Sequence, residues 1–282
     1  MEELYSPKVI SELLKKYQLA PLKKLGQNFL RDENIVGKIA EAAVRPGENA
    51  LEIGPGLGVL TQALARRAKK VVAVEIDKGM VQVLSQTLDG LENTHVIWQD
   101  FLKADLRQIA QEHFGGEPFA VVGNLPYYIT SKCLLAVLEA QAPVARFTAM
   151  VQKEVAERLM AAPGDSNYGA ITASVAYYGR VQQLFSVSRN CFLPAPDVDS
   201  AVISIEPRAQ FDVPREDYTR IVRGLFAQRR KTLQNNMKNS LQMKNEEIQL
   251  ALDEAKIPVN SRAENLSPDE FAKLSEIICK NK

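Results

Sequence analysis

The sequence predicts an α/β protein, with a doubly wound parallel sheet carrying helices on both faces and a small all-helical domain after it. Three observations predict it. Short apolar runs alternate with stretches of helical periodicity through residues 1–206. The runs are apolar at consecutive positions (Ala50-Leu51, Val71-Val72-Ala73-Val74, Ala120-Val121-Val122), as strands buried on both faces require. Beyond Pro207 the strand signal stops, and residues 207–282 read as helical, through Ile221, Leu225, Ile248, Leu252, Phe271 and Ile277. The expected boundary is therefore at 206/207, with 207–214 as a linker.

The chain opens on a helix through Ile10, Leu13, Leu14 and Tyr17, and a basic loop then runs to Leu25. Asp32 can accept from the first amides of the next helix, whose apolar face is Ile35, Val36, Ile39, Ala40 and Ala43; Pro46-Gly47 stops it. A strand at 50–53 meets Gly54 at once, and a helix follows through Leu60, Ala63 and Leu64. The strand at 71–75 ends in Glu75 and leads to a helix through Met80, Val81 and Leu84. The strand at 96–98 precedes Asp100, and that at 119–122 runs into Gly123-Asn124-Leu125-Pro126-Tyr127. Later come a strand at 148–151, helices through Val155 and Leu159 and over 169–178, and strands near 184–187 and 202–205.

Composition excludes several classes. Across 282 residues, 35 basic side chains balance 34 acidic ones, so net charge does not point to a nucleic-acid partner; only its distribution can. No apolar run approaches a membrane span, and the charged N-terminus is not a signal peptide. Cys133, Cys191 and Cys279 are scattered and show neither ligand spacing nor a disulfide pattern. His95 and His113 have no neighbour to complete a zinc site. The expectation is a cytoplasmic monomer with no metal and no membrane contact.

The glycine loop Glu52-Ile53-Gly54-Pro55-Gly56-Leu57-Gly58 lies between a strand and a helix, where a backbone turns sharply against a ligand. Its spacing is not the dinucleotide fingerprint, and it lacks the Lys-Ser/Thr of a phosphate loop. An acid beside the glycines suits a ligand without phosphates that carries a sulfonium and an ammonium, namely S-adenosylmethionine. Glu75 falls where an acid meets ribose hydroxyls, and Asp100 where one accepts from an adenine amine. Any one of Glu52, Glu75, Asp100 and Asn124 alone is a solvated strand end. All four at the carboxyl ends of successive strands form a binding site.

Asn124-Leu125-Pro126-Tyr127 is similar to the (Asn/Asp)-Pro-Pro-(Tyr/Phe) signature of amino-methyltransferases. An adenine amine is a weak nucleophile, because its lone pair is delocalised into the ring. The Asn124 side-chain carbonyl and the Leu125 main-chain carbonyl can accept its two N–H bonds and draw the nitrogen toward a tetrahedral form. Pro126 fixes the turn that aims both, and Tyr127 offers a ring for the base. Charge building on nitrogen is stabilised by these acceptors, so no histidine base is needed. The plainer reading is an ordinary turn after a strand.

Taken in order, Leu25-Gly26-Gln27-Asn28-Phe29-Leu30, the glycine loop, Gly123 to Tyr127, Gln152-Lys153-Glu154-Val155, Phe192-Leu193-Pro194-Ala195-Pro196-Asp197-Val198-Asp199-Ser200 and Phe226-Ala227-Gln228-Arg229-Arg230-Lys231-Thr232 resemble the KsgA-type small-subunit ribosomal RNA adenine dimethyltransferases. The resemblance implies a Rossmann-like class I methyltransferase sheet. It also implies dimethylation of two adjacent adenosines near the 3′ end of 16S rRNA, within an immature small subunit. Asn28, Leu30, Gly54, Glu75, Asp100 and Asn124 would line the cofactor pocket, with Gly56, Glu52, Ile76 and Phe101 beside them. Gly26 to Leu30 would lie over the cofactor. Phe192 would pack on the flipped base near Tyr127; the alternative is a core aromatic.

Arg220, Arg223, Arg229, Arg230, Lys231, Lys238 and Lys244 lie between Tyr218 and Asn245 with no intervening acid. Arg223, Arg229, Arg230 and Lys231 are the expected phosphate contacts, against the reading of a solvated helix face; Lys15-Lys16 and Lys23-Lys24 can extend the surface. Three other functions stay open: a large-subunit methyltransferase of the macrolide-resistance kind, a ribosome-assembly factor acting by binding, and a nicotinamide-dependent oxidoreductase.

Overall fold

A computed structural model describes residues 4–19 and 28–280. The chain divides into two units: Met1–Ala156 with Gln182–Pro207, and Glu157–Val181 with Arg208–Lys282. A single cut at 206/207 is therefore corrected, since residues 157–181 group with the C-terminal helices. The segment expected to be a linker is also part of that unit. The amides of Arg208 and Gln210 donate to the carbonyls of Tyr178 and Tyr177 (2.6 and 2.9 Å), and the Tyr177 hydroxyl donates to the Val213 carbonyl.

In the first unit, strands β1 (Phe29–Leu30) and β8 (Phe192–Leu193) form a small antiparallel ribbon. The other seven are β2 (Asn49–Ile53), β3 (Lys70–Glu75), β4 (Thr94–Trp98), β5 (Phe119–Asn124), β6 (Val144–Gln152), β7 (Gln182–Val187) and β9 (Ser200–Ile205). They make one sheet in the order β4-β3-β2-β5-β6-β9-β7. The first five run parallel, but β9 pairs antiparallel with both β6 and β7, so the sheet is mixed rather than purely parallel. Every residue of β2 is buried, as expected of a central strand covered on both faces. The order reverses between β2 and β5, which opens a crevice beyond their carboxyl ends.

Helices α1 (Pro7–Lys16), α2 (Glu33–Ala43), α3 (Val59–Ala65), α4 (Lys78–Thr87), α5 (Leu106–Phe114) and α6 (Thr130–Glu139) complete this unit, and α7 (Lys153–Leu159) spans the division. Asp32 accepts from the Ile35 amide at 3.1 Å and caps α2 as the sequence predicts, worth about 1 kcal/mol. Asp77 and Asp105 cap α4 and α5 in the same way. Beneath α2 the buried Arg146 donates to the Ala43 carbonyl at 3.0 Å and pairs with Glu48 and Glu206 at 3.3 and 3.6 Å. An unpaired guanidinium there would be costly.

The second unit contains α8 (Ala170–Ala176), α9 (Arg215–Leu225), α10 (Leu233–Ser240), α11 (Asn245–Ala255) and α12 (Pro268–Lys280). Tyr218 is fully buried against Tyr177 and Phe211, and its hydroxyl donates to the Ala173 carbonyl at 2.9 Å. Phe226 stacks on Phe271. Among the described residues, no helix is long and apolar enough to cross a membrane.

Candidate active site

A cavity of about 270 Å³ opens at the carboxyl ends of β2, β3 and β5. All ten residues predicted for the cofactor line it: Asn28, Leu30, Glu52, Gly54, Gly56, Glu75, Ile76, Asp100, Phe101 and Asn124. They come from five separate stretches of chain; parallel strand register gathers four of them, and the β1–β8 ribbon carries the fifth, at Asn28 and Leu30. Among the described residues, three carboxylates line the cavity and no lysine or arginine does.

Each acid has its own setting. Glu75 is buried, and its two oxygens accept from the Gly56 amide at 3.2 Å and the Asp77 amide at 2.9 Å. Burial pushes its pKa up, and these hydrogen bonds oppose the shift. Glu52 is deeper still, at 1 % exposure, and its Oε2 has no hydrogen-bond partner among the described residues. Burial raises its carboxyl to about 8; the Thr61 hydroxyl works against that rise and the negative charge of Glu75 adds to it. Asp100 caps the 3₁₀ turn Phe101–Lys103 by accepting from the Leu102 amide at 3.0 Å.

The glycine loop needs its glycines. Gly56 has φ +55°, a left-handed conformation, and a Cβ there would lie 3.3 Å from the Phe29 ring. Gly123, just before the catalytic candidates, runs so close to β2 that a Cβ would sit 3.0 Å from the Ile53 carbonyl oxygen.

Asn124 stands at the end of β5, and its amide nitrogen donates to the Asn28 carbonyl at 3.0 Å. That bond orients the side chain and leaves Oδ1 as an acceptor. The Leu125 amide donates to the Met150 carbonyl at 3.2 Å, and the Pro126 carbonyl accepts from the Ile129 amide, so the turn is held from both sides. Among the described residues nothing donates to the Leu125 carbonyl. Leu125 itself is buried and does not line the cavity.

Tyr127 is half-buried outside the cavity lining, and its hydroxyl shares a hydrogen bond of 3.1 Å with Ser200, which fixes the ring. The expectation for Phe192 is corrected. Pairing of β8 with β1 sets Phe192 opposite Leu30 and drives it into the core at 3 % exposure, so it presents no face to a base. Phe29, within the segment expected over the cofactor, also lines the cavity; sequence reasoning missed Gln99, Leu102 and Tyr128 on its wall. Tyr128, 58 % exposed, carried a signal in its position beside Tyr127.

The predicted phosphate contacts are less uniform. Arg229 donates to the Ser166 carbonyl at 2.7 Å and pairs with Glu264 at 3.6 Å, so the fold brings an acid to a stretch that has none in sequence. Arg230 and Lys231 are exposed and pair with no described residue; Arg223 is exposed and makes an interaction of its own. Lys16 donates to Gln86 at 2.6 Å. Gly26, Gln27 and Lys23-Lys24 lie outside the described residues.

A family model described as "Ribosomal RNA adenine dimethylase" matches residues 7–280. The chain belongs to that family. A "Ribosomal RNA small subunit methyltransferase A" of Geobacillus thermodenitrificans is 44 % identical over 98 % of this chain and 97 % of its own length. Its counterpart in Clostridioides difficile is 42 % identical over 99 % and 98 %. Among solved structures, a dimethyladenosine transferase from Plasmodium falciparum superposes with a TM-score of 0.71 at 27 % identity, covering 87 % of this chain and 95 % of that one. The 23S rRNA methyltransferase ErmE superposes at 0.68 with 31 % identity, covering 89 % and 100 %. These two relatives thus carry small-subunit names, while the fold is shared with a large-subunit enzyme.

Proposed function

We propose that the acidic cavity holds S-adenosylmethionine and that Asn124 and Leu125 present an adenine amine of rRNA to it. The chain is an S-adenosylmethionine-dependent rRNA adenine dimethyltransferase, methylating N6 of two adjacent adenosines near the 3′ end of 16S rRNA. The finer reading is that a monomer acts on an immature small subunit. One observation carries the site assignment: the nitrogen of Asn124 is engaged by Asn28, which, among the described residues, leaves its carbonyl free beside a cavity lined by three acids and no basic side chain.

The residues fit this cofactor. Glu52 Oε2 is buried with no partner among the described residues, so a cation beside it relieves an uncompensated group. The loop at Gly54 and Gly56 leaves room for close backbone approach, and Glu75 and Asp100 lie farther along as acceptors for ribose and adenine. When bound, S-adenosylmethionine supplies an electrophilic methyl group and a thioether leaving group. Asn124 Oδ1 and the Leu125 carbonyl accept from the amine, localise its lone pair and stabilise the positive charge that builds on nitrogen. The released proton passes to water. Tyr127, its ring fixed through Ser200, stacks on the base. Arg230 and Lys231 meet RNA phosphates.

The test is methyl transfer from labelled S-adenosylmethionine to unmethylated small subunits, with large subunits in parallel, followed by nucleoside analysis. Dimethyladenosine confined to the small-subunit RNA is expected. Label confined to the large-subunit RNA would overturn the substrate, and none in either would overturn the activity.

A further inference from the structure

We infer that Trp98, outside the cavity, is a positioning residue for the cofactor: its indole N–H holds the peptide that carries Ile76 into the cavity wall. The inference rests on S-adenosylmethionine being the ligand of that cavity.

The argument starts from the β3–β4 ladder. Glu75 pairs with Trp98 in parallel register, and the last backbone bond runs from the Gln99 amide to the Glu75 carbonyl at 2.9 Å. One residue further β3 has ended, and among the described residues no backbone donor reaches the Ile76 carbonyl. Trp98 Nε1 supplies the donor at 3.1 Å, adding one side-chain rung to the ladder. Two neighbours make that rung consequential. Glu75, one residue before, holds the Gly56 amide of the glycine loop. Asp77, one residue after, caps α4 through the Gly79 amide at 2.8 Å. The Ile76 peptide is thus clamped on three sides, and its side chain, 51 % exposed, lines the cavity.

Trp98 itself is 60 % exposed on an edge strand and does not line the cavity. Burial therefore does not explain its place. The ammonium of Lys78, the first residue of α4, lies 5.4 Å from the ring centre as a cation–π contact. A side chain so exposed contributes little to the core; what it provides is one N–H at one carbonyl.

Trp98→Phe keeps an aromatic ring, though a smaller one, and deletes the donor. Calorimetric titration of S-adenosylmethionine into wild type and variant, with steady-state methylation of small subunits, tests the inference. The affinity for S-adenosylmethionine should fall about three- to tenfold, the worth of one hydrogen bond to a positioned group. KM for the cofactor should rise in step, with kcat and KM for the RNA unchanged. Equal affinity in the two proteins overturns the inference alone. A fall in kcat or in melting temperature without a change in affinity also overturns it, by assigning Trp98 to general stability. No binding by wild type would overturn the cofactor reading itself.

Discussion

The cavity of the sheet unit and the basic stretch of the helical unit were both drawn from the sequence, and the structure treats them differently. In the cavity, ten residues from five stretches converge on about 270 Å³. In the basic stretch, Arg229 is drawn to Ser166 and Glu264 while Arg230 and Lys231 stay free of partners among the described residues. The difference is one of constraint. Parallel strands in register must end on one side of a sheet, so polar residues at strand ends meet whatever lies between them in sequence. Charges past the end of a helix obey no such rule, and an acid 35 residues away can neutralise one of them.

The largest expected effect concerns a residue first placed with the cavity that belongs to the frame behind it. Phe192→Ala should destabilise the protein by about 3–5 kcal/mol, as loss of a buried aromatic does. Thermal or urea unfolding measures it. Unchanged stability with lost RNA methylation would restore Phe192 to the base-binding surface and blur the line between cavity and core.

Next comes the acid at the floor of the cavity. In the unfolded chain Glu52 titrates near 4.5, and in the fold near 8. The fold thus favours the protonated form, so the stability tied to this group is full below about pH 4.5 and is lost as pH rises to about 8. Over that window the ligand-free protein should lose a few kcal/mol that Glu52→Gln does not lose. Cofactor binding should reverse the trend, because a bound cation favours the carboxylate. Melting curves from pH 5 to 8.5, with and without S-adenosylmethionine, decide it; parallel curves for wild type and variant would mean that Glu52 is ionised at all these pH values.

The smallest effect separates the basic residues from one another. Removing Arg230 and Lys231 together should lower the slope of log affinity against log salt by about 2 for small-subunit binding. Arg229→Ala should change that slope less, since Glu264 already holds its charge. Equal slopes for all three proteins would remove this stretch from the RNA surface.

Much of the fold was legible because its signals are local: apolar runs, glycine turns and Asp32 as a cap. The antiparallel direction of β9 was not, since an apolar run reads the same either way. Helices α5 and α6 were passed over, although Asp105 before Leu106 and the left-handed Gly115 after Phe114 mark both ends of α5. The β1–β8 ribbon has two residues in each strand, too short for any periodicity, yet it decides the fate of Phe192. The bond from Asn124 to Asn28 spans 96 residues and engages a main-chain carbonyl, which no side-chain pattern announces. The grouping of residues 157–181 with the C-terminal helices is likewise a product of packing, without a composition break to reveal it.

The measurement that bears most directly on the site is a paired one on Asn124→Ala. Its dissociation constant for S-adenosylmethionine is read by calorimetry, and its single-turnover methylation of small subunits by nucleoside analysis. If the Asn124 carbonyl acts on the amine in the transition state, transfer falls about 10²–10³-fold, as for other preorganised charge-stabilising groups, while cofactor affinity changes little. Transfer at the wild-type rate with intact binding would contradict the mechanism.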